Sequence, residues 1–227
     1  MQVTIRHSPS FAVARLELAP GESVRAETGA MASMSADTTT EAKMEGGFMK
    51  SLKRSVLGGE SLFMTTYTAG PGGGFVDVAA NLPGDLVVFD VQPDRALLLT
   101  RGSWLASATG VTLDTQWGGF KNLFGGEGGF LVRCSGQGPV VTSCYGALEV
   151  WTLGAGERLV VDSGHLVAYQ EGVALQTRMV SGKMMQTLKS GEGLIMDFTG
   201  PGQVWTQTRS PNALIQWLTT VLPFSRS

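Results

Sequence analysis

The stretch FKNLFGGEGGFLVRCSGQGPVVTS, residues 120–143, decides the fold. An apolar run leads to a Gly-Glu pair, then a short strand pattern, a Gly-rich turn and a second strand pattern. Runs of four to six residues rich in Val, Leu, Phe and Thr, bounded by Gly, Pro, Asp or Ser, read as β-strands joined by tight turns. The same order of features returns in LKRSVLGGESLFMTTYTAGPGGGFVDV, residues 52–78, and in MQTLKSGEGLIMDFTGPGQVWTQT, residues 185–208. The Gly-Glu pairs are Gly59-Glu60, Gly126-Glu127 and Gly191-Glu192, spaced 67 and 65 residues apart.

Working outward, a second pattern interleaves with the first. It reads PGESVRAETGAMASMS over 20–35, PGDLVVFDVQPDRALLLTRGSWLAS over 83–107, and GAGERLVVDSGHLVAYQEGVAL over 154–175. Its Gly-acid pairs are Gly21-Glu22, Gly84-Asp85 and Gly156-Glu157. Two patterns recurring three times in fixed order predict a triplicated module. The expected architecture is all-β, with modules over 1–80, 81–150 and 151–210 and a C-terminal helix over 211–224. The N-terminal segment, with Val3, Ile5, Phe11, Val13 and Leu16, reads as strands. The segment from Ala42 to Arg54 reads as loop or short helix.

Composition narrows the function classes. Of 227 residues, 43% are hydrophobic and only 16% charged, below the roughly 25% of an average chain. So much of the surface is neutral, which favours burial in an oligomer. A net charge of −2 gives no general attraction to nucleic acid or an anionic membrane. No apolar run reaches the roughly 18 residues of a spanning helix, and the N-terminus has no secretory signal. The expectation is a cytoplasmic protein.

The run from Gly21 to Phe63, followed by LPGDLVVFDV, RGSWLAS and GVTLD, resembles the AIM24 family, and the resemblance extends from Phe11 to about Pro223. It implies a fold similar to the tryptophan RNA-binding attenuation protein, with each module a short double-stranded β-helix. It also implies three modules per chain and a homotrimer forming a ring of roughly nine modules. Eukaryotic relatives are mitochondrial and linked to organelle biogenesis and inner-membrane organisation. No enzymatic activity is implied.

The residues agree with a non-enzymatic reading. Only His7 and His165 are present, too few for an imidazole-rich metal site. Glu22, Asp85, Glu157, Glu60, Glu127 and Glu192 open turns, where carboxylates beside Gly accept backbone N–H bonds. Cys134 and Cys144 flank a turn with an offset of roughly four residues, about 13 Å at strand rise. That is too far to bridge, so two free buried thiols are expected. No Gly-x-Ser-x-Gly elbow or phosphate-binding loop occurs. Lys53 and Arg54 have partial counterparts only in Lys121 and Lys189, which disfavours single-stranded RNA binding. No cofactor or metal is expected.

Two features are candidates for contact surfaces. Ser210-Pro211 starts a helix, and Leu214, Trp217, Leu218, Val221 and Leu222 fall on one face of it. That face packs on the protein itself or a neighbouring subunit, or docks on a membrane or partner. Met31, Met34, Met44 and Met49 read as core or subunit interface. The leading expectation is a homo-oligomeric β scaffold that binds a protein or small molecule. The alternative is a membrane-surface organiser acting through the C-terminal helix, and behind both stand an RNA binder and a cryptic enzyme.

Overall fold

In the computed structural model, residues 1–44, 63–100, 102–116, 131–178 and 195–223 are described. The chain opens with β1 (Gln2–Arg6). A first set of six strands follows: β2 (Val13–Leu18), β3 (Ser23–Glu27), β4 (Met31–Met34), β5 (Thr39–Met44), β6 (Phe63–Thr68) and β7 (Gly74–Ala79). The second set is β8 (Leu86–Val91), β9 (Leu97–Thr100), β10 (Trp104–Ala108), β11 (Val111–Gln116), β12 (Leu131–Gly136) and β13 (Gly138–Ser143). The third is β14 (Leu148–Leu153), β15 (Arg158–Asp162), β16 (Leu166–Gln170), β17 (Ala174–Arg178), β18 (Ile195–Thr199) and β19 (Gly202–Gln207). One helix, α1 (Pro211–Val221), follows.

Pairing joins these strands into four sheets, ordered β1-β2-β7-β4, β5-β6-β3-β10-β13-β8, β11-β12-β9-β16-β19-β14 and β15-β18-β17. In each set the first, sixth and third strands pair in that order, as do the fourth, fifth and second. The sets are joined where β3 pairs with β10 and β9 pairs with β16. Each joint makes one six-stranded sheet from two sets. A register shift recurs at the same place in each third strand: Met31/Ser33, Trp104/Ala106 and Leu166/Ala168. Such bulges bend a strand and increase its twist.

The alternation of side chains explains the cores. Successive strand residues point to opposite faces, and β2 buries Ala14, Leu16 and Leu18. Three apolar clusters result, and each borrows side chains from a neighbouring set. Val141, Ala106 and Leu105 of the second set join the first cluster. Met64 of the first set and Trp205 of the third join the second cluster. Leu98 and Leu131 of the second set join the third.

Several details differ from the sequence reading. Phe11 lies in the loop between β1 and β2, 72% exposed, and Ala12 takes the buried position. Residues 42–44, expected as loop or helix, belong to β5. The expected boundary at 150 falls inside β14, so the second set ends at Ser143. Gly21 and Gly156 do occupy matching turns, with φ of 70° and 76°, and each is followed by a Glu whose amide bonds three residues back. Gly84 does not belong with them. Its turn precedes the first strand of a set rather than the second, and a Cβ there would stand 1.9 Å from the Cys144 carbonyl oxygen. Close backbone approach is therefore what requires Gly84. The true counterpart of Gly21-Glu22 is Asp94-Arg95, where the Arg95 amide donates to the Gln92 carbonyl. Gly59, Glu60, Gly126, Glu127, Gly191, Glu192, Met49, Lys53, Arg54, Lys121 and Lys189 lie outside the described residues.

Candidate interaction surfaces

The joints inside the chain leave two matching strand edges unused among the described residues. β4 corresponds to β10 and β16, and it ends the first sheet. β15 corresponds to β3 and β9, and it ends the last. At the joints Ala26 lies opposite Ala106 and Leu99 opposite Ala168, with Arg25 opposite Ser107 and Leu98 opposite Tyr169. Carrying this register to the free edges sets Val161 against Ser33 and Val160 against Met34. Leu98 is only 7% exposed, whereas its counterpart Val160 is 50% exposed. Unpaired strand edges of this kind invite association.

Each end also carries a buried aspartate under two arginines. Asp77 on β7 accepts bonds from Arg15 Nε and Nη2 at 2.9 Å each and from Ser33 Oγ at 2.8 Å, and pairs with Arg6 at 2.9 Å. The Arg15 bond, opposed by burial and helped by Ser33, holds the Asp77 carboxyl down at about 2, against an ordinary 3.8. Arg15 also stacks on Phe75, 3.9 Å from the ring centre. At the other end, Asp197 on β18 is paired with Arg178 at 2.7 Å and Arg158 at 3.4 Å. At the matching position of β12, Arg133 meets Glu171 across the joint at 2.7 Å.

The predicted helix is present, capped by Ser210 and started by Pro211. None of its residues is buried. Leu214 and Leu218 are half-buried, while Trp217, Val221 and the C-cap Leu222 are exposed, as is Ile215, which sequence reasoning left out. Of this face, expected to pack on the protein itself or on a neighbouring subunit or to dock elsewhere, only Leu214 and Leu218 are partly covered within the chain. The helix N-cap, Ser210, lies beside the turn between β15 and β16, where a Cβ on Gly164 would stand 2.6 Å from the Ser210 hydroxyl. Met31 is exposed at the β4 edge, while Met34 packs against the first cluster.

The candidate reactive groups are placed without a shared site. His165 Nδ1 lies 2.7 Å from the Gln207 carbonyl oxygen, and His7 sits in the loop after β1 with φ of 60°. Cys134 and Cys144 are unpaired and buried, and burial pushes the Cys134 thiol up to about 12. Among the described residues no three His, Cys, Asp or Glu side chains gather as metal ligands. A cavity of about 380 Å3 where the three sets meet is lined by Glu27, Thr100, Ser103, Ser143, Cys144 and Gln207, among others, with no cationic side chain among the described residues. Among the described residues no helix is long and apolar enough to cross a membrane.

Sequence reasoning found the helix and two of the paired turns. It missed Asp77 and Asp197, whose arginine partners are brought together only by pairing across strands. It also missed Val160, one of three apolar residues in β15, whose exposure shows only once β15 is seen to end its sheet among the described residues.

Residues 3–209 match the family described as Mitochondrial biogenesis AIM24. An uncharacterized protein of Streptococcus pyogenes serotype M6 is 30% identical over 234 residues, covering 99% of this chain and 92% of that protein. A crystal structure of another Streptococcus pyogenes protein superimposes with a TM-score of 0.82 at 25% identity, covering 97% of this chain and 99% of that one.

Proposed function

This chain belongs to the mitochondrial biogenesis AIM24 family, and from that premise we propose that it is a non-enzymatic homo-oligomeric β scaffold of the cytoplasm. The three strand sets are read as tandem double-stranded β-helix modules, similar to those of the tryptophan RNA-binding attenuation protein and related by a pseudo-threefold repeat. The chain associates head to tail, the β15 edge of one copy pairing with the β4 edge of the next. The observation that carries this reading is the mismatch between joints and ends: the edges that pair inside the chain have no partner among the described residues at β4 and β15. A contact that repeats an internal one closes into a ring when the rotation fits. Closure at three copies comes from the family resemblance. The ring's surface then serves as a binding platform for a protein or small molecule.

Light scattering tests it. The expected mass is three times the 24.0 kDa of the chain. Val160→Asp places a charge at the centre of the proposed pair and is expected to return the mass to that of one chain, while Trp217→Ser leaves the assembly intact. A wild-type mass of one chain at micromolar concentration would refute the reading.

The exposed side chains of α1 support a second reading, a membrane-surface organiser acting through that helix. An interfacial helix usually carries Lys or Arg on its polar face, and α1 carries none. Flotation with vesicles separates the two: membrane binding that Trp217→Ser abolishes favours the second.

A further inference from the structure

Strand β2 and strand β14 hold the same place in their sets, and among the described residues only β2 has a neighbour on its outer side. β2 pairs with β7 from Val13 opposite Ala79 to Leu18 opposite Gly74, and β14 pairs with β19 from Leu148 opposite Gln207 to Leu153 opposite Gly202. Position by position, Ala14, Arg15, Leu16 and Glu17 correspond to Glu149, Val150, Trp151 and Thr152. The outer side of β2 is filled by β1, from Gln2 opposite Glu17 to Arg6 opposite Val13. β14 ends its sheet. The consequence shows in exposure: Leu16 is fully buried, whereas Trp151 is 42% exposed and Val150 53%.

The turn beside each strand repeats a receptor for a positive charge. Glu22 Oε2 accepts the Ala19 amide at 2.8 Å, and its Oε1 takes the ammonium of Met1. Burial opposes ionisation of Glu22, but the Met1 ammonium and the Ala19 amide outweigh it and hold the carboxyl below its usual range. Glu157 Oε2 accepts the Gly154 amide at 2.9 Å in the same way. No described residue meets its other oxygen. In the second set this position is Arg95, so the β8 edge offers no such receptor.

We propose that the outer edge of β14 is an acceptor for an extended partner strand that begins with a free amino group. Its ammonium binds Glu157, its backbone pairs antiparallel with β14, and its third residue, apolar like Val3, covers Trp151. Its fifth residue faces Glu149 and is basic. Main-chain bonds give such strand addition its affinity and alternate side chains its selectivity. The occupant is the N-terminal segment of a partner protein. β1 of a second copy is excluded as occupant by its own pairing and by the Met1–Glu22 contact. This inference rests on the register of β14 and not on ring closure.

The probes are the hexapeptide MQVTIR, which copies β1, its N-acetylated form, and MQVTKR, which sets a lysine against Glu149. The readout is tryptophan fluorescence of the full chain, with Trp151→Phe as the control that removes the responding group. MQVTIR is expected to bind saturably with a blue shift lost in Trp151→Phe. Acetylation, or Glu157→Gln in the protein, is expected to weaken it about tenfold, the scale of one charge-assisted hydrogen bond. MQVTKR is expected to bind about threefold tighter, the scale of one cross-strand charge pair. Equal binding of the free and acetylated peptides, or no saturable signal, overturns the proposal. So does a change in the light-scattering mass on Glu157→Gln, which would assign the edge to a second copy.

Discussion

The two joints inside the chain and the two ends of the chain share one strand geometry and differ in side chains. At the joint of β9 and β16, Leu97, Leu99 and Ala168 are buried in one apolar cluster. At the ends the corresponding surfaces hold Asp77 with Arg6 and Arg15, and Asp197 with Arg158 and Arg178. Apolar burial has no charge to screen or titrate, while ion pairs in partial contact with water respond to both salt and pH. The joint also carries the Arg133–Glu171 pair, but apolar burial dominates it, and there the paired strands belong to one chain. The end surfaces have the chemistry of contacts that form and part.

One substitution at a joint and one at a free end put the comparison under load. Leu99→Ala, at a fully buried joint position, is expected to lower unfolding free energy by about 3 kcal/mol through lost burial and an unfilled cavity. Val160→Ala, on the half-exposed edge of β15, should change the stability of the single chain by less than about 0.5 kcal/mol. Urea unfolding of both variants measures this, and similar losses would erase the distinction.

Asp77→Asn comes next. It leaves Arg6 and Arg15 without their shared carboxylate, and a loss of about 2 kcal/mol is expected. That is less than for a fully enclosed pair, because both arginines reach water. Asp197→Asn, whose arginines are more exposed, should cost about half as much.

Acid titration reads the same group another way. The Asp77 carboxyl is held down at about 2 in the folded chain against an ordinary 3.8. Its contribution to stability is therefore complete above about pH 4 and is lost as the pH falls towards 2. Thermal melts across that window should show a decline that is flatter in Asp77→Asn, and identical slopes would remove Asp77 from the account.

The smallest effect is expected at the helix. Trp217→Ala should leave the melting free energy within about 0.5 kcal/mol of wild type, since the side chain touches no core. A larger loss would mean that Trp217 packs on the sheets.

How much of this was legible in the sequence follows from the range of the interactions involved. Turns and strand alternation are local, so the all-β fold, the helix start at Ser210-Pro211 and the matching of Gly21 with Gly156 could be read directly. The matching of Gly84 failed because a Gly-acid pair happens to stand one strand too early in the second set. The turn that does correspond, Asp94-Arg95, has lost both residue types. Only the register of β9 against β16, which repeats that of β3 against β10, identifies it. The ion networks and the free edges are relations between strands tens of residues apart, and no spacing within one strand encodes them.

The shared sheets have a consequence for how the chain comes apart. Each six-stranded sheet is a party wall, with one apolar cluster on either side of it. A break in the middle set therefore strips the wall from both neighbours at once. The chain cannot be trimmed to one or two sets without opening a full-length row of backbone donors and acceptors. Amides of β9, β10, β12, β13, β16 and β19 should exchange with solvent only through global unfolding. Those of β4 and β15 should exchange first whenever no second copy covers them.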